Sequence, residues 1–130
     1  MFENTKAYNG FAVDDLDKAR QFYNETLGLK TTLMDEENGL LSLDLAGDRT
    51  TLVYLKPDLK PGNYTILNFP VDDIDEAVDE LTARGVSIER YDGFDQDEKG
   101  IGRGIAAGSG PDIAWFKDPA GNILSVLQEN

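Results

Sequence analysis

The chain contains no cysteine and no histidine. Without Cys there is no disulfide, thiolate zinc site, iron–sulfur cluster or cysteine nucleophile. Without His the commonest transition-metal ligand and the commonest general base are missing, which removes Ser-His-Asp and papain-like chemistry. Basic residues are also scarce: twelve Lys and Arg face 25 Asp and Glu, a formal net charge of −13. A field of that sign repels phosphate backbones and anionic lipid, arguing against nucleic-acid and membrane partners. No apolar run approaches the roughly 18 residues that a spanning helix needs. The start, Met1-Phe2-Glu3-Asn4-Thr5-Lys6, lacks the basic-then-apolar layout of an export signal. A cytoplasmic address is the expectation. What remains open is carboxylate, Tyr, Lys, Arg or Ser chemistry, an oxygen-ligand metal, or plain binding.

What is present is a repeat. With 130 residues the chain has room for one ordinary core and reads as a single domain. Phe11-Ala12-Val13-Asp14-Asp15-Leu16-Asp17-Lys18-Ala19 recurs as Phe69-Pro70-Val71-Asp72-Asp73-Ile74-Asp75-Glu76-Ala77, offset by 58 residues. Each copy runs from a short alternating segment through paired Asp residues into a helical pattern. Leu16, Ala19, Tyr23 and Leu27 share one stripe; Ile74, Ala77, Val78 and Leu81 share the other. The Asp pairs suit N-caps, Asp73 with Glu76 suits a capping box, and Gly28 and Gly85 suit left-handed closing residues. Strands are expected at 30–34, 40–45 and 50–56, then at 86–91, 112–117 and 123–128. Turns are expected at Asn38-Gly39, Ala46-Gly47-Asp48 and Asp118-Pro119-Ala120-Gly121. The chain therefore reads as α+β, two tandem βαβββ modules at 1–56 and 64–130 joined by the linker 57–63.

In each first strand one parity is large and apolar: Phe11 and Val13, then Leu67, Phe69 and Val71. These are expected to face the following helix. The other parity holds Tyr8, Gly10 and Ala12, then Ile66, Asn68 and Pro70. Such small and polar residues suit either a cavity wall or simple admission of a neighbouring strand.

This arrangement resembles the vicinal oxygen chelate superfamily, which contains glyoxalase I, bleomycin-resistance proteins, fosfomycin-resistance enzymes and extradiol dioxygenases. The resembling pieces are Val13-Asp14-Asp15-Leu16 leading to Phe22-Tyr23 and Leu27-Gly28-Leu29, then Val71-Asp72-Asp73-Ile74, then Trp115-Phe116-Lys117-Asp118-Pro119-Ala120-Gly121-Asn122. The resemblance implies two modules curled into one cup-shaped mixed sheet, a homodimer, and a small-molecule ligand inside the cup. Catalytic members hold a metal with His, Glu or Gln at four equivalent strand positions. By motif those seats fall here on Tyr8, Ile66, Ser125 and either Val53 or Tyr54. None is a carboxylate or an imidazole, so the expectation is no metal and no cofactor.

The stretch 92–111 carries six of the thirteen Gly residues and reads as a structureless loop, a lid or a floppy excursion. Its Arg103 either clamps a ligand carboxylate or phosphate or forms a surface salt bridge. Tyr8, Tyr54, Tyr64 and Trp115 fall on expected strands as cavity-wall or core aromatics. The acidic runs 35–37 and 95–98 read as solvated loops, and those at 14–17 and 72–75 as caps rather than calcium sites. The candidate ligand-binding set is Tyr8, Tyr54, Asn68, Arg103, Trp115 and Ser125, with no catalytic residue assigned. Two functions follow: a metal-independent binding protein that sequesters a small cationic or aromatic molecule, or a glyoxalase- or dioxygenase-related lyase or isomerase.

Overall fold

A computed structural model describes all 130 residues. The chain divides into two compact units, Met1–Lys60 and Pro61–Asn130. In the first, β1 (Asn9–Val13) leads into α1 (Leu16–Gln21), which loosens into a π-helical turn, Phe22–Thr26. Strands β2 (Lys30–Asp35), β3 (Leu40–Leu45) and β4 (Arg49–Leu55) follow. The sheet order is β1-β4-β3-β2, with β1 parallel to β4 and the remaining pairs antiparallel.

The Asp15 carboxylate caps α1 by accepting from Lys18 N at 3.0 Å, satisfying an otherwise exposed first-turn amide. Phe11, Val13, Leu41, Leu43 and Val53 turn their parity toward the helix and are buried with Ala19 and Tyr23. Tyr23 is fully buried, and its ring lies 5.7 Å from that of Phe11 and 5.2 Å from that of Phe22. Thr51 shares this buried layer because its hydroxyl donates to Asn9 Oδ1 at 2.8 Å.

The second unit repeats the plan. It contains β5 (Thr65–Pro70), α2 (Ile74–Ala83), β6 (Gly102–Arg103), the short α3 (Gly104–Ala107), β7 (Asp112–Lys117) and β8 (Ile123–Gln128). The order β5-β8-β7-β6 again pairs first and last long strands in parallel. Asp73 caps α2 through Glu76 N at 3.1 Å, and the Gln128 side chain takes Ile74 N at 3.0 Å. Ile74, Val78 and Leu81 pack on the sheet face bearing Ala114, Phe116, Leu124 and Val126. Gly28 and Gly85 close their helices with φ of +74° and +87°. The turn at 118–121 forms, Gly121 N donating to Asp118 O at 3.0 Å. No helix is long and apolar enough to cross a membrane.

Three expectations need correction. Residues 86–91 form no strand; the neighbour of β7 is the two-residue β6. A single backbone hydrogen bond joins this segment to β7, Glu89 N donating to Trp115 O at 2.8 Å. The Gln96 side chain explains this, since it captures backbone groups a ladder would use: its Oε1 accepts from Tyr91 N, and its Nε2 donates to Glu89 O. Residues 92–111 are not structureless, because they contain β6 and α3. Tyr8 and Tyr64 stand just before β1 and β5, one residue outside the strands.

Candidate functional site

Helix packing consumes one face of each sheet and leaves the opposite face available. In the second unit that open face carries a row straight across three strands: Asn68 in β5 pairs with Ser125 in β8, which pairs with Trp115 in β7. Ser125 is fully buried, and its hydroxyl donates to Asn68 Oδ1 at 2.6 Å. The Trp115 indole N–H donates to Thr65 Oγ1 at 3.2 Å, which fixes the ring against the sheet. Tyr91 and Phe94 meet that ring edge-on, at centroid distances of 5.6 and 5.1 Å. Phe94 remains largely exposed.

Beside Trp115 lies an open cleft of about 660 Å³. Its apolar walls come from Phe94, Ile113 and Trp115, and its polar rim from Asp95, Asp97 and Arg103. Gly104 borders it where α3 folds back. A Cβ there would collide with Pro111 O and come within 2.8 Å of Gly110 O, so only glycine permits the close return of the backbone.

The segment over the cleft is held by its side chains. Besides its contacts to residues 89 and 91, Gln96 donates to Gly100 O at 2.7 Å. Asp97 Oδ1 accepts from Lys99 N at 3.0 Å and Ile101 N at 2.8 Å, while Oδ2 accepts from Arg103 Nε at 3.0 Å. The reading of 95–98 as merely solvated is thus corrected: two of its polar side chains serve as internal clips. Gln96→Ala removes three hydrogen bonds and leaves backbone groups unmatched. Expected is a loss of about 1–3 kcal/mol, with faster amide exchange confined to residues 89–101.

Arg103 is surrounded by acid. Its guanidinium makes two bonds to Asp75, at 2.8 and 3.1 Å, and Asp112 stands 3.6 Å away. Lys99 extends the network to Asp75 at 3.4 Å and Asp79 at 3.0 Å. The Arg103 bond, aided by Lys99, holds the Asp75 carboxyl below the usual range. Burial would raise Asp97, but the Ile101 amide, Arg103 and the Lys99 amide outweigh it and lower it. Tyr91 moves upward, chiefly by burial and then by the Glu89 charge. Its hydroxyl is buried without a hydrogen-bond partner. Tyr91→Phe is therefore expected to leave thermal stability unchanged or slightly raised, since an unpaired buried hydroxyl contributes only a cost.

The candidate residues are divided between the two units. Asn68, Ser125 and Trp115 form one row, and Trp115 and Arg103 line one cleft. Tyr54 lies in the first unit, half-exposed in β4 opposite Ala12, and Tyr8 is 70% exposed ahead of β1. Phe94, Gln96 and Asp97 were not singled out from sequence. The nearest sequence signal was the Gly-rich stretch that contains or adjoins them.

The strand register also corrects one coordination seat. Phe11 pairs with Val53 and Phe69 pairs with Val126, so the first-unit counterpart of Ser125 is Leu52 rather than Val53 or Tyr54. The four seats are then Tyr8, Leu52, Ile66 and Ser125. Two of them have no lone pair to offer, and the Ser125 hydroxyl is engaged with Asn68. Neither pair, Tyr8 with Leu52 in the first unit or Ile66 with Ser125 in the second, offers the carboxylate or imidazole donors that suit a divalent metal. No group of three or more Asp or Glu side chains is placed to hold one elsewhere.

The duplicated βαβββ units define a glyoxalase-like α+β class, and comparison with known proteins agrees. The Glyoxalase/Bleomycin resistance protein/Dioxygenase superfamily profile matches residues 7–126, and the chain belongs to this family. No curated protein matches by sequence. Among solved structures, TnmS3, an antibiotic binding protein from Streptomyces sp. CB03234, is 26% identical with a TM-score of 0.67, covering 98% of each chain. The fosfomycin resistance protein FosX from Listeria monocytogenes is 15% identical with a TM-score of 0.71, covering 98% of this chain and 92% of its own. A glyoxalase/dioxygenase from Nostoc punctiforme is 15% identical with a TM-score of 0.68, covering 99% and 94%.

Proposed function

We propose that this protein is a metal-independent binding protein of the glyoxalase/bleomycin-resistance type, sequestering a small cationic or aromatic molecule without transforming it. The observation that carries the reading is the donor set Tyr8, Leu52, Ile66 and Ser125, which cannot replace the acidic and imidazole ligands used by catalytic relatives. A cleft walled by Trp115, Phe94 and Ile113 offers a planar ligand area and polarizable faces. The antibiotic-binding relative supports the same direction. Asn68 and Ser125 extend the polar row beside Trp115, while Tyr8 and Tyr54 supply further aromatic surface in the first unit. A cytoplasmic homodimer completes the proposal.

The test is isothermal titration of the purified protein against a panel of cationic and neutral aromatic antibiotics, with and without EDTA, while the ligand is followed by mass spectrometry. Saturable binding, unaffected by EDTA, with the ligand recovered intact supports sequestration. Chemical conversion of a panel member would favour the lyase or isomerase alternative. Sedimentation analysis at the same concentrations should give twice the 14.3 kDa chain mass.

A further inference from the structure

Arg103 is the only cation lining the cleft, yet its hydrogen-bonding fork is already occupied. Asp75 takes both terminal nitrogens, Asp97 takes Nε, and Asp112 approaches from β7. Including Lys99 and Asp79, two cations face four carboxylates. Asp95 adds a further carboxylate at the rim and makes no ion pair. A ligand carboxylate or phosphate would have to displace an existing bidentate partner and then sit among like charges. A ligand cation meets the opposite conditions.

We propose that Asp97 is the specificity-determining residue of the cleft: it is the carboxylate on the cleft wall that, together with Asp75 behind it, neutralises Arg103 and makes that basic side chain part of a cation-selective wall. The inference rests on the reading of this cleft as a small-molecule site, and assigns the group that decides ligand charge. Asp97 divides its two oxygens cleanly. Oδ1 serves the loop amides of Lys99 and Ile101, and Oδ2 serves Arg103. In Asp97→Asn the amide oxygen still holds the loop, while the amide nitrogen faces the guanidinium: one negative charge leaves the cleft wall and Arg103, still anchored by Asp75, loses the partner on its Nε.

Two planar fluorescent probes of opposite charge test this on the full chain: cationic thioflavin T and anionic 1-anilinonaphthalene-8-sulfonate. The wild-type protein should prefer the cation, with the preference shrinking at high salt. Asp97→Asn should shift the cation-to-anion affinity ratio toward the anion by at least about fivefold, the effect of one unit charge at about 4 Å in water. Arg103→Gln should shift it the other way, since carboxylates then line the wall uncompensated. Amide exchange over residues 97–101 must stay protected in Asp97→Asn, which separates charge selection from loop collapse; if that variant unfolds, Arg103→Gln decides alone. An unchanged ratio in the folded variants overturns the role of Asp97 and leaves the binding site standing. Failure of the wild-type protein to bind either probe overturns the binding reading itself, and the selectivity with it.

Discussion

Phe116→Ala is expected to cost about 3–5 kcal/mol of stability, while Trp115→Ala, one residue earlier, should cost about 1–3 kcal/mol. The contrast follows from strand alternation. Phe116 points into the layer beneath α2 and is almost wholly buried among Ala114, Leu124 and Val126. Truncation there removes apolar contacts and leaves a cavity that close-packed neighbours cannot fill. Trp115 points to the open face, where it loses one hydrogen bond and two edge-on ring contacts. Its larger effect is on binding: loss of the central aromatic wall should weaken a ligand by about 30-fold or more. Chemical denaturation and titration of both variants measure the pair. Equal losses of stability would contradict the assignment of faces, and unchanged affinity in Trp115→Ala would contradict the location of the site.

The second large effect concerns acid and Arg103. Asp75 and Asp97 have folded-state pKa values below the ordinary carboxylate value, so the folded protein holds their protons less tightly than the unfolded chain. Their contribution is fully present above the free-Asp value of about 3.9. It is lost as pH falls below that and passes through the lowered folded values. Arg103→Gln should lower the melting temperature at pH 7 by about a few degrees, a modest loss because the Arg103 and Asp75 side chains are partly exposed and screened. It should also flatten the decline below about pH 4, because the carboxylates lose the partner that lowered them. Thermal scans from pH 7 to pH 3 check both features. Parallel wild-type and variant profiles would show that the guanidinium contributes no proton linkage. High salt should narrow the difference, since these groups are partly exposed.

The sequence was most legible where a residue acts on its near neighbours. Asp15 and Asp73 cap helices that begin one residue later, and Gly28 and Gly85 take the left-handed geometry that helix ends require. The large apolar parity of Phe11 and Val13 was readable as the helix-facing side because side-chain alternation along a strand needs no distant information, and Phe11 meets the Tyr23 ring there. The repeat matched the order of elements in the first unit, but in the second it expected a strand at 86–91 and missed β6 and α3 at 102–107. Legibility failed where side chains substitute for backbone partners. Nothing local in residues 86–91 shows that Gln96 will take their ladder groups. Arg103 reaches Asp75 across 28 residues, a pairing that spacing cannot reveal. The capping motif had accounted for its acidic cluster without a role for Asp75 as an ion-pair partner. The metal seats illustrate a different limit: motif spacing placed Ser125, but only parallel register identified Leu52 as its counterpart.

The seat composition is tested most directly by counting metal. Protein purified without chelator, equilibrated with equimolar Zn, Ni, Mn and Fe in turn and freed of unbound ion, should retain far less than one ion per chain by plasma mass spectrometry. Retention of one ion per chain, lost on EDTA treatment together with ligand binding or turnover, would contradict the metal-independent reading.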